Sequence, residues 1–231
     1  MLLGSAAMDK LRRSHVAVIG LGGVGSYAAE ALSRSGLGEL TLLDQDVFSD
    51  TNLNRQLGAL LSTVGESKAA VMARRAGDID AATRVNALEF TYSAETRERL
   101  FELEPDYIVD AIDLVSCKLD LIQTAKERGV AIISCLGTGN RTDASSFTIS
   151  DISLTHTDPL ARVIRKELRH RGIEHHTVLW SSEPPLSPLP LEEPPPGRRS
   201  VPGSVAWVPS AAGLMLAGHV IMELASGARE D

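Results

Sequence analysis

The apolar positions fall into short uninterrupted runs, separated by longer segments whose apolar spacing is helical. His15–Gly20 (HVAVIG) is apolar at successive rather than alternate positions, as a strand buried on both faces is, and Glu39–Asp44 (ELTLLD) reads as the second strand. Further strands are expected at Arg84–Phe90, Asp106–Ile112 and Val130–Cys135. Between them the period lengthens. A helix opens from Gly22, with Ser26, Ala28, Ala29, Ala31 and Leu32 as its small-residue side, and others are predicted from Ser67 to about Ala81, at Glu95–Leu103 and at Ser116–Arg128. Strands alternating with helices predict an α/β protein: a Rossmann-type, doubly wound, mostly parallel sheet with helices on both faces. Phe147–Ile152 reads as a strand extending that sheet towards the C-terminus. Pro159–Arg171 reads as a basic helix, Thr177–Ser181 as another strand and Ser210–Leu224 as a closing Gly- and Ala-rich helix.

Two stretches fit neither period. Asp46–Gln56 is too polar for a regular strand. Glu183–Pro202 holds eight of the 11 prolines and is expected to be a mobile loop inside one domain spanning residues 1–231, not a boundary between two.

Composition narrows the class. The chain has 231 residues, 43% hydrophobic and 23% charged, which suits one globular domain. Its net charge of -7 does not advertise nucleic-acid binding, yet a local basic stripe still acts within a Debye length of ~8–10 Å. Only two cysteines occur, Cys117 and Cys135, and they form no CxxC pair, so neither a disulfide framework nor a tetra-Cys zinc site is expected. Both are read as packing residues, with Cys135, which ends a strand on the ligand-binding edge, kept as a weaker candidate nucleophile. No signal-peptide pattern opens the chain and no apolar run approaches the ~20 residues of a membrane span, so a cytoplasmic, membrane-free protein is expected.

The chemistry begins at Gly20-Leu21-Gly22-Gly23-Val24-Gly25, a GxGxxG loop between strand and helix. Glycines there permit a tight turn and close backbone approach, and the helix N-terminus offers N–H groups to a phosphate. Asp44, ending the second strand, is placed to accept ribose hydroxyls. A nicotinamide dehydrogenase would carry the same loop and acid, whereas the absence of a GKS/T motif argues against a P-loop enzyme. The residues beyond Asp44 separate the options. Asp46, Asn52 and Arg55, then Lys68 at the next helix start and Asp113 after the fourth strand, gather at the carboxyl edge, where open α/β sheets bind ligands. Cations with a carboxylate suit a triphosphate with Mg²⁺ better than a dinucleotide.

These residues carry a resemblance. The GxGGxG loop, the D-x-D…N-x-x-R-Q run, Gly65-x-x-Lys68 and Asp110-Ala111-Ile112-Asp113 resemble the ThiF/MoeB/HesA superfamily, which adenylates carboxylates with ATP. The resemblance implies that Gly20, Gly22, Gly23, Gly25, Asp44, Asp46, Asn52, Arg55 and Lys68 bind the nucleotide. Asn52, Arg55, Lys68 and Asp113 would act at the transferring phosphorus, with Asp113 on Mg²⁺. Gly23–Gly36, Asn52–Gln56, Asp106–Asp113, Asp158–Arg162, Trp180–Pro184 and Val208–Gly213 are similar to one branch, the tRNA threonylcarbamoyladenosine dehydratases. That branch implies a homodimer that activates the free carboxylate on a modified tRNA adenosine, which an internal nucleophile then closes into a ring.

A basic face supports the tRNA expectation. Arg162, Arg165, Lys166 and Arg169 recur at i, i+3, i+4 and i+7 of one predicted helix, facing a phosphate backbone or simply solvent. The adjacent pair His175-His176 suggests a metal only weakly. The superfamily's N-terminal arginine, which reaches a partner's ATP, has no clear counterpart: the chain opens Met1-Leu2-Leu3-Gly4, with Arg12 and Arg13 close to the first strand. The usual Asn-Pro after the second helix is replaced by Asp80-Ala81. The cysteine some dehydratases carry near the C-terminal helix is missing, so no sulfur-relay partner is expected. Three rival readings stay open: adenylation of a sulfur-carrier or ubiquitin-like C-terminus, a non-catalytic nucleotide-binding protein, and an NAD-dependent oxidoreductase.

Overall fold

The computed structural model describes residues 2–187 and 203–226; most of the Pro-rich stretch, residues 188–202, lies outside the described residues. Seven strands form one sheet in the order β3-β2-β1-β4-β5-β7-β6. The strands are β1 (His15–Ile19), β2 (Glu39–Leu43), β3 (Arg84–Leu88), β4 (Tyr107–Asp110), β5 (Ala131–Cys135), β6 (Phe147–Asp151) and β7 (Thr177–Ser181). All neighbours pair in parallel except β6, which runs antiparallel to β7 as the edge of the C-terminal extension. The helices are α1 (Ser5–Leu11), α2 (Gly25–Ser33), α3 (Lys68–Ile79), α4 (Glu98–Phe101), α5 (Val115–Glu127), α6 (Pro159–His170) and α7 (Trp207–Ala225).

Successive strand residues face opposite sides, so β1 feeds two cores. Val16 and Val18 join Leu32, Leu40, Val208 and Leu216 on the face covered by α1, α2, α3 and α7. Ala17 and Ile19 join Ile108, Ile122, Ile164 and Leu168 beneath α5 and α6. Each such Val, Leu or Ile side chain taken from water contributes about 1.5–3 kcal/mol. This is the doubly wound arrangement the apolar runs predict.

Several ends differ, each for a local reason. Helix α4 spans one turn instead of Glu95–Leu103. Ahead of it Thr96 Oγ1 accepts the Ser93 N–H at 2.9 Å and donates to the Thr91 carbonyl at 2.6 Å, holding a turn; behind it Glu104 takes a left-handed φ of 51°. Strand β4 stops at Asp110, whose Oδ1 accepts the Ile112 N–H at 3.0 Å and turns the chain. Helix α7 begins three residues early because Pro209 sits in its first turn, where no intrahelical N–H is needed. Helix α1, which the apolar pattern does not predict, seals Leu11 at 0% exposure.

The membrane expectation needs one amendment. Helix α7 has 19 residues and a mean hydropathy of 1.4, enough in length and composition to span a bilayer. Its Val208, Ala212, Leu216, Ala217 and Val220 are fully buried, so one side serves as a core element.

Candidate functional site

The strand order reverses between β1 and β4, and a cleft opens there at the carboxyl edge of the sheet. It has a volume of about 680 Å³ and is lined by Gly20, Gly22, Gly23, Asp44, Asp46, Asn52, Arg55, Lys68 and Asp113. These nine residues, up to 93 positions apart in sequence, share one cavity because each follows the end of a parallel strand. Gly25 stands behind the wall, in the first turn of α2.

Two glycines build the loop. Gly20 has φ +90°, and a Cβ there would stand 2.8 Å from the Ala111 carbonyl oxygen. A Cβ at Gly25 would lie 1.7 Å from the Gly20 carbonyl oxygen, so only glycine lets the helix start so close to the strand. Asp44 ties this loop to the next one: its Oδ2 accepts the Leu21 N–H at 2.7 Å and its Oδ1 the Asp46 N–H at 2.8 Å. Each carboxylate oxygen keeps a second acceptor direction for a ribose hydroxyl.

The polar segment after β2 is organised, not merely solvated. Asp50–Asn52 forms a single 3-10 turn in which Asn52 Oδ1 accepts the Ser49 N–H at 3.1 Å. Arg55 curls back over it, its Nη1 donating to the Thr51 carbonyl at 2.9 Å and to Asn54 Oδ1 at 3.0 Å. Lys68, the first residue of α3, is buried to 6% exposure, and its Nζ lies 3.0 Å from Asp46 Oδ2. Ser67 caps that helix by accepting the Ala70 N–H, which fixes where the lysine emerges. Asp113 lies on the exposed turn between β4 and α5.

The cleft fits a nucleotide by its donor set. Glycine-loop amides and two cations, Arg55 and Lys68, line one cavity where they would be available to phosphates, and Gln56 Oε1 is buried without a hydrogen-bond partner among the described residues. No cluster of three or more His, Cys, Asp or Glu occurs among the described residues, so a metal cage made wholly of protein is not formed there. One carboxylate such as Asp113 with substrate phosphates is the usual way to hold Mg²⁺.

Gln56 enters the sequence reading only as the end of the N-x-x-R-Q run, with no role of its own, and nothing in the pattern singles out the Phe90–Tyr92 wall or Thr138, Gly139, Gly203 and Ser204; all of these line the cleft. Phe90 and Tyr92 follow a strand end, which is the signal that could have found them. The Thr138 and Gly203 segments come together only through tertiary contacts: Asn140 N donates to the Gly203 carbonyl at 2.8 Å, and Asn140 Oδ1 accepts the Gly203 N–H at 2.6 Å.

Other flagged residues lie elsewhere. On α6, Arg162, Lys166 and Arg169 are exposed, whereas Arg165 is half-buried and donates to the Thr155 carbonyl at 2.7 Å. Asp158 caps that helix and pairs with buried Arg141 at 3.0 Å. His176 is buried with Nε2 2.8 Å from Ser134 Oγ, while His175 is exposed beside Asp151, so the two imidazoles do not converge. Cys117 and Cys135 are both buried and free; burial pushes the Cys135 thiol up to about 12, the reverse of an activated nucleophile. Arg12 pairs with Asp9 at 3.1 Å and does not line the cleft.

Comparison with known proteins agrees with this geometry. The ThiF family profile matches residues 1–228. The tRNA threonylcarbamoyladenosine dehydratase of Bacillus subtilis is 43% identical over 97% of this chain and 92% of its own length. The Escherichia coli enzyme of that name is 36% identical over 73% of this chain and 63% of its own. The solved structure of E. coli TcdA in complex with ATP superposes with a TM-score of 0.86 at 30% identity, covering 96% of this chain and 90% of that one. The AMP complex gives 0.88 at 31%, covering 99% and 93%. E. coli MccB shares the fold at a TM-score of 0.64 and 19% identity, covering 96% of this chain and 60% of that one. The chain therefore belongs to the ThiF family and groups within it among the tRNA threonylcarbamoyladenosine dehydratases.

Proposed function

We propose that the protein is an ATP-dependent dehydratase that closes the side chain of N6-threonylcarbamoyladenosine in tRNA into a ring. The observation that carries this is the cleft itself: phosphate-loop amides, a ribose acid, two cations and a separate exposed carboxylate meet at one switch point, in a chain that groups with dehydratases. Asp44 accepts the ribose hydroxyls. The amides at the start of α2 face the phosphates, with Arg55 and Lys68 offsetting the charge that grows as pyrophosphate departs. Asp113 is the residue that would hold Mg²⁺, and the ion would supply further neutralisation of the phosphate charge when bound.

The reaction balances without a protein nucleophile. The substrate carboxylate attacks the α-phosphorus of ATP, the bond to the β-phosphate breaks, and an acyl-adenylate forms with release of pyrophosphate. An atom of the same side chain then attacks the activated carbonyl and AMP leaves with the former carboxylate oxygen, so one water is lost overall. Tethering makes that attack intramolecular, worth several orders of magnitude in effective concentration. The two buried thiols are consistent with this route, and neither a cysteine relay nor a sulfur-relay partner is invoked.

The α6 face supports tRNA contact: Arg162, Lys166 and Arg169 offer exposed charge, and Arg165, anchored on Thr155, lies at its margin. Homodimerisation is part of the reading and is supported by the outward side of α7, where Leu214 and Met222 are 50% and 45% exposed. A cytoplasmic setting goes with a tRNA substrate. AMP and pyrophosphate release that requires tRNA bearing the modified adenosine tests the function. Release driven instead by a small sulfur-carrier or ubiquitin-like protein would replace it with the rival adenylation.

A further inference from the structure

Lys118 and Asp110 are both 0% exposed, with Nζ 2.7 Å from Oδ2. Lys118 rises from the first turn of α5 and also donates to the Cys135 carbonyl at 3.0 Å, at the end of β5. The other oxygen of Asp110 accepts the Ile112 N–H at 3.0 Å, bending the chain so that Ala111, Ile112 and Asp113 line the cleft. Gly20 rests on the same turn, against the Ala111 carbonyl. One buried pair therefore sits under both the glycine loop and the acid that faces the phosphates.

Stability does not explain it. Desolvating two charges offsets most of their attraction, and well-packed apolar residues of similar size commonly replace such pairs without loss. An apolar pair cannot, however, accept the Ile112 N–H. We propose that Lys118–Asp110 is a positioning pair: Lys118 fixes the Asp110 carboxylate, Asp110 fixes the Ala111–Asp113 turn, and the turn sets where magnesium and the phosphates sit. This rests on the reading of Asp113 as the magnesium-facing acid. Neither Lys118 nor Asp110 touches substrate.

The test compares how much Mg²⁺ tightens binding of a non-hydrolysable ATP analogue, measured by calorimetry with Mg²⁺ and with EDTA. The double variant Asp110→Leu/Lys118→Met removes both charge and acceptor. It should melt as the wild type does yet lose about tenfold of the magnesium-dependent gain, as loss of outer-shell support does at metal sites. Asp110→Asn/Lys118→Met keeps an oxygen for Ile112 and should restore the gain to within about twofold. Ile112→Pro, which deletes the N–H and leaves the ion pair intact, should reproduce the loss even if the leucine variant does not fold. Full magnesium-dependent gain in folded Asp110→Leu/Lys118→Met or in Ile112→Pro overturns the inference. A wild type that gains nothing from Mg²⁺ overturns the reading of Asp113, and this inference with it.

Discussion

Single side chains in the cleft differ in what their loss should cost the fold. Lys68 is nearly buried, but its partner Asp46 is 57% exposed, so removing the lysine returns Asp46 to water instead of stranding a charge. Lys68→Ala should therefore leave the melting temperature almost unchanged while lowering kcat by about 10²–10³, the usual cost of one donor aimed at developing charge. A variant that loses activity only in step with its melting temperature would place Lys68 in the scaffold. Arg141 is the opposite case. It is buried, 3.0 Å from Asp158, donates to the Gly137 carbonyl and also reaches the Glu183 carbonyl. Arg141→Ala strands the acid that caps α6 and should destabilise by about 3–5 kcal/mol, read as a fall in the denaturant midpoint.

At the scale of elements, the residue leading into β7 and the α6 helix carry separate predictions. Burial lowers His176 to about 3, with nearby Lys126 and Lys118 acting in the same direction. The folded state thus keeps it neutral while the unfolded chain binds a proton below about pH 6.5. Stability is complete above that pH and falls as pH drops towards 3, by at most ~1.4 kcal/mol per unit. His176→Asn should flatten the decline in melting temperature between pH 7 and 5, leaving a smaller share from His15, which burial also lowers. An unchanged slope would remove His176 from the account. On α6, reversing Arg162, Lys166 and Arg169 to Glu should weaken tRNA binding and flatten its dependence on salt, since each phosphate contact adds close to one unit to that slope. Binding measured from low to moderate salt decides it; equal affinity and equal slope would assign the face to solvent.

Much of the element pattern is legible in the residues alone. Mostly apolar runs place β1, β2, β5 and β7 within a residue or two, because strands buried on both faces leave little polar alternation to confuse them. The cleft residues of the first half are legible because a parallel sheet sends every strand end to one edge. The Thr138 and Gly203 segments are not, since nothing local marks two loops that meet only through Asn140. Helix α4 comes out too long from periodicity because its flanking turn is held by the side-chain bonds of Thr96, which apolar spacing does not register.

The whole molecule is a nucleotide-binding sheet with one face closed by α7, whose outer side carries Leu214, Met215 and Met222. If those residues face a second copy, light scattering should give twice the 24.7 kDa chain mass, and Leu214→Glu/Met222→Glu should give the single mass. A dimer unaffected by that change would place the interface elsewhere. The chemistry itself is tested most directly by mass spectrometry of nucleosides from tRNA carrying threonylcarbamoyladenosine, after incubation with the protein, ATP and Mg²⁺, beside Lys68→Ala. This nucleoside should lose the mass of one water, only with ATP and only with Lys68 in place. An unchanged nucleoside, with ATP bound and the protein folded, would contradict it.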